Sequence, residues 1–393
     1  MIDRQSNTRS RGLQPSWILL SRGLQPAGNS TRCRALRFIL LSFVLPRTCA
    51  AWAILILAAA GCQGPLKPVF EPPTPPIVWP TEPAQARIRY LGSLKSSADL
   101  KAPRKPFQGI ADLFVGPKSP QLLYGPRAVV TSGDTARLWI ADPGGRCLHL
   151  FDLQNRSYKK IDRAGKEQLL SPAGLCAGPN DTIFVCDSEA VAVYQLSDRT
   201  GELLRKVLLA DEVRRPVAAS YKAATAELFL VDVAGHDVKV LDAEGRIVRV
   251  LGRRGKQTGE FNFPCAIADD GALLWIADAG NQRVQGLTYD GDPVVTFGGP
   301  GDSPGRMALP KGIAVDSAGN IYVVDARFEN VQVFDRSGDL LLVLGQEGIN
   351  PGQFWLPGGI FIDPSDRIWV CDTYNRRVQV FEPIPTTSQG AER

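Results

Sequence analysis

The sequence predicts an all-β fold, a six-bladed β-propeller of four-stranded antiparallel blades whose last blade is closed by a strand from the N-terminal side. Three observations carry this. A proline precedes an apolar run at Pro126, Pro172, Pro216, Pro264, Pro310 and Pro357, at spacings of 46, 44, 48, 46 and 47 residues. An aspartate closes a second apolar run at Asp142, Asp187, Asp232, Asp278, Asp325 and Asp372, at spacings of 45, 45, 46, 47 and 47. Within each period lie short runs rich in β-branched and aromatic residues, bounded by Gly, Asp, Asn and Ser. That is the pattern of strands joined by turns, and four strands per repeat make one blade.

The fifth repeat shows the unit most clearly. Residues 312–316 (GIAVD), 321–325 (IYVVD), 331–334 (VQVF) and 340–344 (LLLVL) are its strands, joined by 317–320, 326–330 and 335–338. No stretch within 123–382 has helical period. The sixth repeat stops after its third strand, 378–381 (VQVF), and a polar tail follows. Residues 86–92 (ARIRYLG) match the fourth-strand run 246–252 (RIVRVLG) and are expected to supply the missing strand. Such a clasp ties the two ends together and leaves no frayed edge in the ring. The chain thus divides into a leader (1–61), a Pro-rich linker (62–85), the propeller (86–383) and a polar tail (384–393). Residues 94–122 do not fit the repeat; they are expected to pack on one face or fill a gap between blades, with a short helix at 106–114.

The net charge of +5 belongs to the leader. Residues 1–61 hold eight of the 45 basic residues and one of the 40 acidic ones, leaving 37 against 39 in the body, a charge near −2. A nearly neutral domain without basic runs argues against nucleic-acid binding.

In the leader, apolar residues 38–45 and 50–60 follow an Arg-rich start, and small residues lead to Cys62. This is the order of a secretion signal, and the exit (LAAAGC) resembles a bacterial lipobox with Ala59 where Leu is usual. Cys62 is the expected lipidation site; with Gln63 after it, the resemblance implies an outer-membrane lipoprotein facing the periplasm or the cell surface. An uncleaved anchor, since 38–60 is long enough to span a bilayer, and simple secretion are the alternatives. Eight prolines in 64–83 favour extended chain and predict a semi-rigid spacer. Of the eight cysteines, Cys147, Cys176, Cys186, Cys265 and Cys371 lie in the domain, without a CxxC, so no disulfide framework is indicated.

The segments 278–285 (DAGNQRVQ) and 372–379 (DTYNRRVQ), with the GEF and GQF loops at 259–261 and 352–354, resemble NHL repeats. The resemblance covers about residues 123–382 and implies a six-bladed propeller, with the whole chain similar to bacterial NHL-repeat lipoproteins. It implies no single function, because NHL propellers include peptidyl-amidoglycolate lyases, RNA- and protein-binding modules and sensor domains. Blades one, two, three and five depart from Asn-x-Arg-Val, with Gly145-Arg146, Glu189-Ala190, His236-Asp237 and Glu329-Asn330 in its place.

The six strand-end aspartates are read as structural, accepting backbone N–H groups of the following loop. His149 and His236 are the two histidines and stand at non-equivalent repeat positions, which excludes a His₃ metal site. No GxSxG or HExxH motif and no Cys/His nucleophile pattern occurs, and neither a cofactor nor a metal ligand set is assigned. The candidate binding residues are those on the loops joining strands four to one and two to three, or beside them: Tyr124, Arg127, Arg215, Lys311, Arg327, Phe328, Trp355 and Tyr374. Aromatic and Arg side chains there suit recognition of a protein, peptide or glycan partner. The expected function is a membrane-tethered binding or scaffold module in the cell envelope. The alternative is a lyase or hydrolase using a divalent metal held by carboxylates in the channel.

Overall fold

A computed structural model describes residues 68–102, 119–132, 135–207, 209 and 211–385. The leader with Cys62, the expected helix at 106–114 and the tail from 386 lie outside the described residues. Among the described residues, blades one to five span 128–161, 172–207, 216–251, 264–298 and 310–344, each a four-stranded antiparallel meander. Blade six takes Ile360–Ile362, Ile368–Asp372 and Arg377–Pro383 from the C-terminal side and Ile88–Leu94 from the N-terminal side.

The clasp therefore exists, two residues downstream of the expected 86–92. Its register pairs Ile88 with Pro383, Tyr90 with Phe381 and Leu94 with Val378, with a bulge between Tyr90 and Gly92. This register buries Ile88 and Tyr90 in the five–six seam and Leu94 in the six–one seam. At the bulge, a Cβ on Gly92 would lie 2.9 Å from the Phe70 ring, so only glycine lets the linker cross there.

The described part of the linker is not a free spacer. Val78–Trp79 adds a fifth strand to blade six beside Ile88 and Arg89. Trp79 packs edge-on against Phe381 and Phe70 against Trp369, with centroids 5.6 and 5.7 Å apart. Prolines are tolerated on an outermost strand because no further strand needs their N–H. The aromatic residues set among them are what dock the segment.

Each seam between neighbouring blades has its own apolar cluster. Trp139 and Val185 mark seam one–two, Phe184 and Leu230 two–three, and Phe229 and Ile276 three–four. Trp275 and Phe334 mark four–five, Val324 and Phe381 five–six, and Trp369 and Leu138 six–one. Six seams for six blades mean a closed ring, and the innermost strands touch in the same cyclic order. The second strand of a blade is covered on both faces, so its sequence is continuously apolar instead of alternating: Leu274–Asp278, Ile321–Asp325 and Ile368–Asp372 are buried throughout. On the outer strand Ile247–Leu251 exposure alternates. Leu100 from the non-repeating segment, with Leu123 just after it, joins the six–one cluster, so this part of the segment packs into an inter-blade seam.

Candidate functional site

The strand-end aspartates organise one face of the ring. All six are fully buried. Each accepts from the loop entering its own blade, and most also accept from the loop that follows. Asp142 takes the Tyr124 and Gly125 amides at 2.6 and 3.0 Å and that of Gly145 at 2.8 Å. Asp187 takes Leu170, Ser171 and Ala190, and Asp232 takes Arg214, Arg215 and Gly235. Asp325 takes Ala308, Leu309, Arg327 and Phe328. The sequence reading named only the following loop; the incoming loop is the second half of the staple. Burial pushes the Asp142 carboxyl up, but the bonds from His149, Tyr124 and Gly145 outweigh it and hold it below its ordinary value. At Asp372 burial prevails and the carboxyl stays above the ordinary range.

In blades four and six the following-loop amides are replaced by the Asn-x-Arg-Val-Gln side chains. Asn375 and Arg377 donate to Asp372 at 2.9 and 2.7 Å. Arg377 also donates to the carbonyls of Ile349, Asn350 and Gln353, and Gln379 accepts the Gly352 amide. Arg283 and Gln285 do the same in blade four. The motif is a clamp on the incoming loop, so its arginines are structural. In blade one the two register positions hold Cys147 and His149. His149 faces Asp142, Cys147 and Tyr158 at 3.3, 3.4 and 2.8 Å, all within the blade. Burial pushes the Cys147 thiol up to about 11, so it is no ready thiolate.

A second recurring feature shapes the opening of the channel. The first strand of a blade starts with a register shift after its proline. Pro216 pairs with Asp232 but Ala218 with Val231, and the same skip occurs in blades two, four and five. A bulge re-aims the extra residue. The residues after the six prolines form a ring at the opening: Arg127, Ala173, Val217, Cys265, Lys311 and Gly358. All of them but Gly358, which lines the channel below, bound with Arg215, Phe263, Ser171 and Ser188 a cavity of about 540 Å³ that no carboxylate lines. It leads into a channel of about 440 Å³ walled by the innermost strands, where Asp269 is the one carboxylate. Asp269 already accepts from Gly271 and Tyr289.

The structure brings Arg127, Arg215 and Lys311 together at this mouth, and no hydrogen bond or ion pair occupies their side chains among the described residues. Trp355 and Tyr374 form an aromatic pair on the loops of blade six, centroids 5.8 Å apart, 47% and 59% exposed, without lining the mouth. Tyr124 is exposed on the incoming loop of blade one, two residues from Pro126, whose carbonyl accepts from Thr373. Arg327 and the half-buried Phe328 sit on the blade-five loop with their amides on Asp325 but do not line the mouth. Phe263 was missed by sequence reasoning although it is half exposed and lines the mouth. It occupies the same place before its bulge as Arg215 does, and that equivalence was the available signal. Among the described residues no group of three His, Cys, Asp or Glu side chains is placed to hold a metal ion.

The NHL repeat family model matches residues 354–381, which run from the loop entering blade six through its third strand. Several solved structures are similar. A protein of unknown function from Bacteroides thetaiotaomicron is 14% identical, with a TM-score of 0.54, covering 67% of this chain and 70% of that one. An auxiliary nutrient binding protein from the same organism is 14% identical, with a TM-score of 0.52, covering 66% and 69%. The virginiamycin B lyase of Staphylococcus aureus is 15% identical, with a TM-score of 0.50, covering 66% of this chain and 96% of the lyase. At such identities these likenesses bear on the fold.

Proposed function

For this chain, which is an NHL-repeat six-bladed β-propeller, we propose a non-enzymatic binding role in the cell envelope. The carrying observation is the mouth on the loop face, which gathers three cationic side chains without partners. The loops of blade six add an exposed aromatic pair. Exposed aromatics and arginines at an opening are the usual anchors of recognition. Similar rings belong to a lyase and to a nutrient binding protein, so the fold leaves the choice to the site. The alternative, a metal-dependent lyase or hydrolase, needs several oxygen ligands in the channel, and the channel wall offers one carboxylate. The proposed partner is an envelope protein, peptide or glycan. The leader supports export and attachment through Cys62, and with the linker docked on blade six from Val69 and Phe70 onward, the tether is short.

The test is affinity capture from the envelope fraction with the full-length protein and with W355A/Y374A. A partner retained by the first and lost by the second supports the reading; equal recovery from both refutes it. Replacing Cys62 with Ala should release the protein from membranes.

A further inference from the structure

We propose that Lys311, Gly358 and Arg127 form an anion notch that takes a carboxylate group of the ligand. This rests on the binding reading above and names its chemistry. Around the ring of residues that follow the six prolines the cyclic order is Arg127, Ala173, Val217, Cys265, Lys311, Gly358. Its two cations therefore stand on blades five and one and flank blade six, where Gly358 puts no side chain of its own between them and the Thr373 hydroxyl would stand 2.9 Å from an added Cβ. The arrangement is a fork with a gap.

Neither cation is neutralised from within. The aspartates nearest in sequence order, Asp142, Asp325 and Asp372, have their oxygens held by loop amides and clamp side chains. Arg127 is partly withdrawn from solvent at the head of an apolar channel. A half-buried guanidinium without a counter-ion is costly, and an anion supplied from outside offsets that cost. Both charges are felt at the channel head: burial pushes the Cys265 thiol up, and Lys311 and Arg127 lower it against that. Arg215, on the same mouth, adds long-range attraction without belonging to the fork.

The geometry favours a carboxylate over a phosphate. Phosphate sites are built from several free backbone amides. Here the Gly358 amide already donates to the Cys371 carbonyl at 2.8 Å, and the Cys371 amide donates to the Gly359 carbonyl. What remains is one planar guanidinium and one ammonium, which match the two oxygens of a single carboxylate. Trp355 and Tyr374, exposed on loops of the same blade as Gly358, offer an apolar face for the remainder of such a ligand.

The test is calorimetric titration of the full-length protein with matched pairs. One pair is an N-acetylated dipeptide ending in phenylalanine as the free acid and as the carboxamide. The other is a galacturonate disaccharide as the acid and as the methyl ester. In at least one pair the acid should bind about tenfold or more tightly than its neutral partner. R127Q and K311Q should each remove that preference, and an unchanged melting temperature in each variant controls for folding. The responding pair tells a peptide source from an acidic sugar. Equal affinity of acid and neutral members overturns the notch; if W355A/Y374A then abolishes both, the broader binding reading survives. No response to either acid at millimolar concentration, or a preference that persists in both variants, also overturns it.

Discussion

The main-chain amide of Phe263 donates to Nδ1 of His236 at 3.0 Å, and the two rings lie 4.5 Å apart. Both residues have left-handed backbone, φ 60 and 53. The contact ties the strand-two to strand-three loop of blade three to the loop entering blade four. It recurs with other chemistry one and two blades on, where Gln282 donates to the Ala308 carbonyl and Glu329 accepts the Leu356 amide. The clip thus fixes an aromatic residue at the mouth from a position remote in sequence.

An accepting Nδ1 is unprotonated, so the imidazolium cannot make this bond with the ring as placed. Burial and the charge of Arg254 lower the His236 pKa, against the raising influence of Asp237, Asp232 and Asp278. The folded state prefers neutral His236. Its contribution is complete above the unfolded pKa of about 6.5 and is lost as pH falls below that value toward the folded pKa. Melting temperatures between pH 7.5 and 5 should fall more steeply for the wild type than for H236N, since asparagine tolerates the left-handed backbone and does not titrate. Parallel profiles would show that the clip does not depend on protonation.

The clasp predicts an asymmetry between the two ends of the chain. Deleting 68–94 removes the fourth strand of blade six and uncovers both of that blade's seams, which hold Ile88, Tyr90 and Leu94. That variant should show no cooperative melting transition. Deleting 386–393 should leave the transition where it is, because the third strand of blade six ends at Pro383. Similar melting of the two truncations would contradict ring closure by the N-terminal strand.

Much of this was legible because propeller geometry repeats itself. The proline marks the start of each innermost strand, with its register shift in blades two to five, and the aspartate marks the loop staple of every blade, so their period survives low repeat identity. The clasp was legible because one strand was missing and one unmatched run fitted. Two things were hidden. Phe70 and Trp79 read as residues of a proline-rich spacer, and only the exposed outer face of blade six shows where such aromatics can dock. The candidate residues are legible one by one and their arrangement as a ring is not, because the register shift beside Lys311 has no signature beyond the proline before it. Arg327 shares its loop context with Arg215 in the sequence, yet its position within the loop keeps it off the mouth.

Arg377 should be the most sensitive arginine of the clamp. Its side chain is 3% exposed, it pairs with Asp372 at 2.7 Å, and it donates to three loop carbonyls. R377M would leave a buried carboxylate and those carbonyls without their donor, a loss of about 3–5 kcal/mol. Arg283 makes the equivalent bonds in blade four with 12% of its side chain exposed, so water can partly replace it. R283M should therefore cost distinctly less in urea unfolding. Equal losses would mean that burial does not set the strength of the clamp.

The second residue after each of the six prolines is Ala or Gly: Ala128, Gly174, Ala218, Ala266, Gly312 and Gly359. The reason is the approach of neighbouring innermost strands. A Cβ on Gly359 would lie 2.3 Å from the Arg127 carbonyl oxygen and 3.2 Å from Ala128 Cα, across the seam where the ring closes. Both contacts are backbone, so no side chain can rotate away. G359A must push the innermost strands of blades six and one apart, at a cost of about 1–3 kcal/mol, and should shift Arg127 with them. Gly125 provides the control on the same seam: its added Cβ would meet nothing closer than 3.8 Å. G125A should unfold at nearly the wild-type urea midpoint and G359A well below it. If the two midpoints coincide, close strand approach is not what selects small residues at this position, and the spacing of the ring that carries Arg127 and Lys311 is set elsewhere.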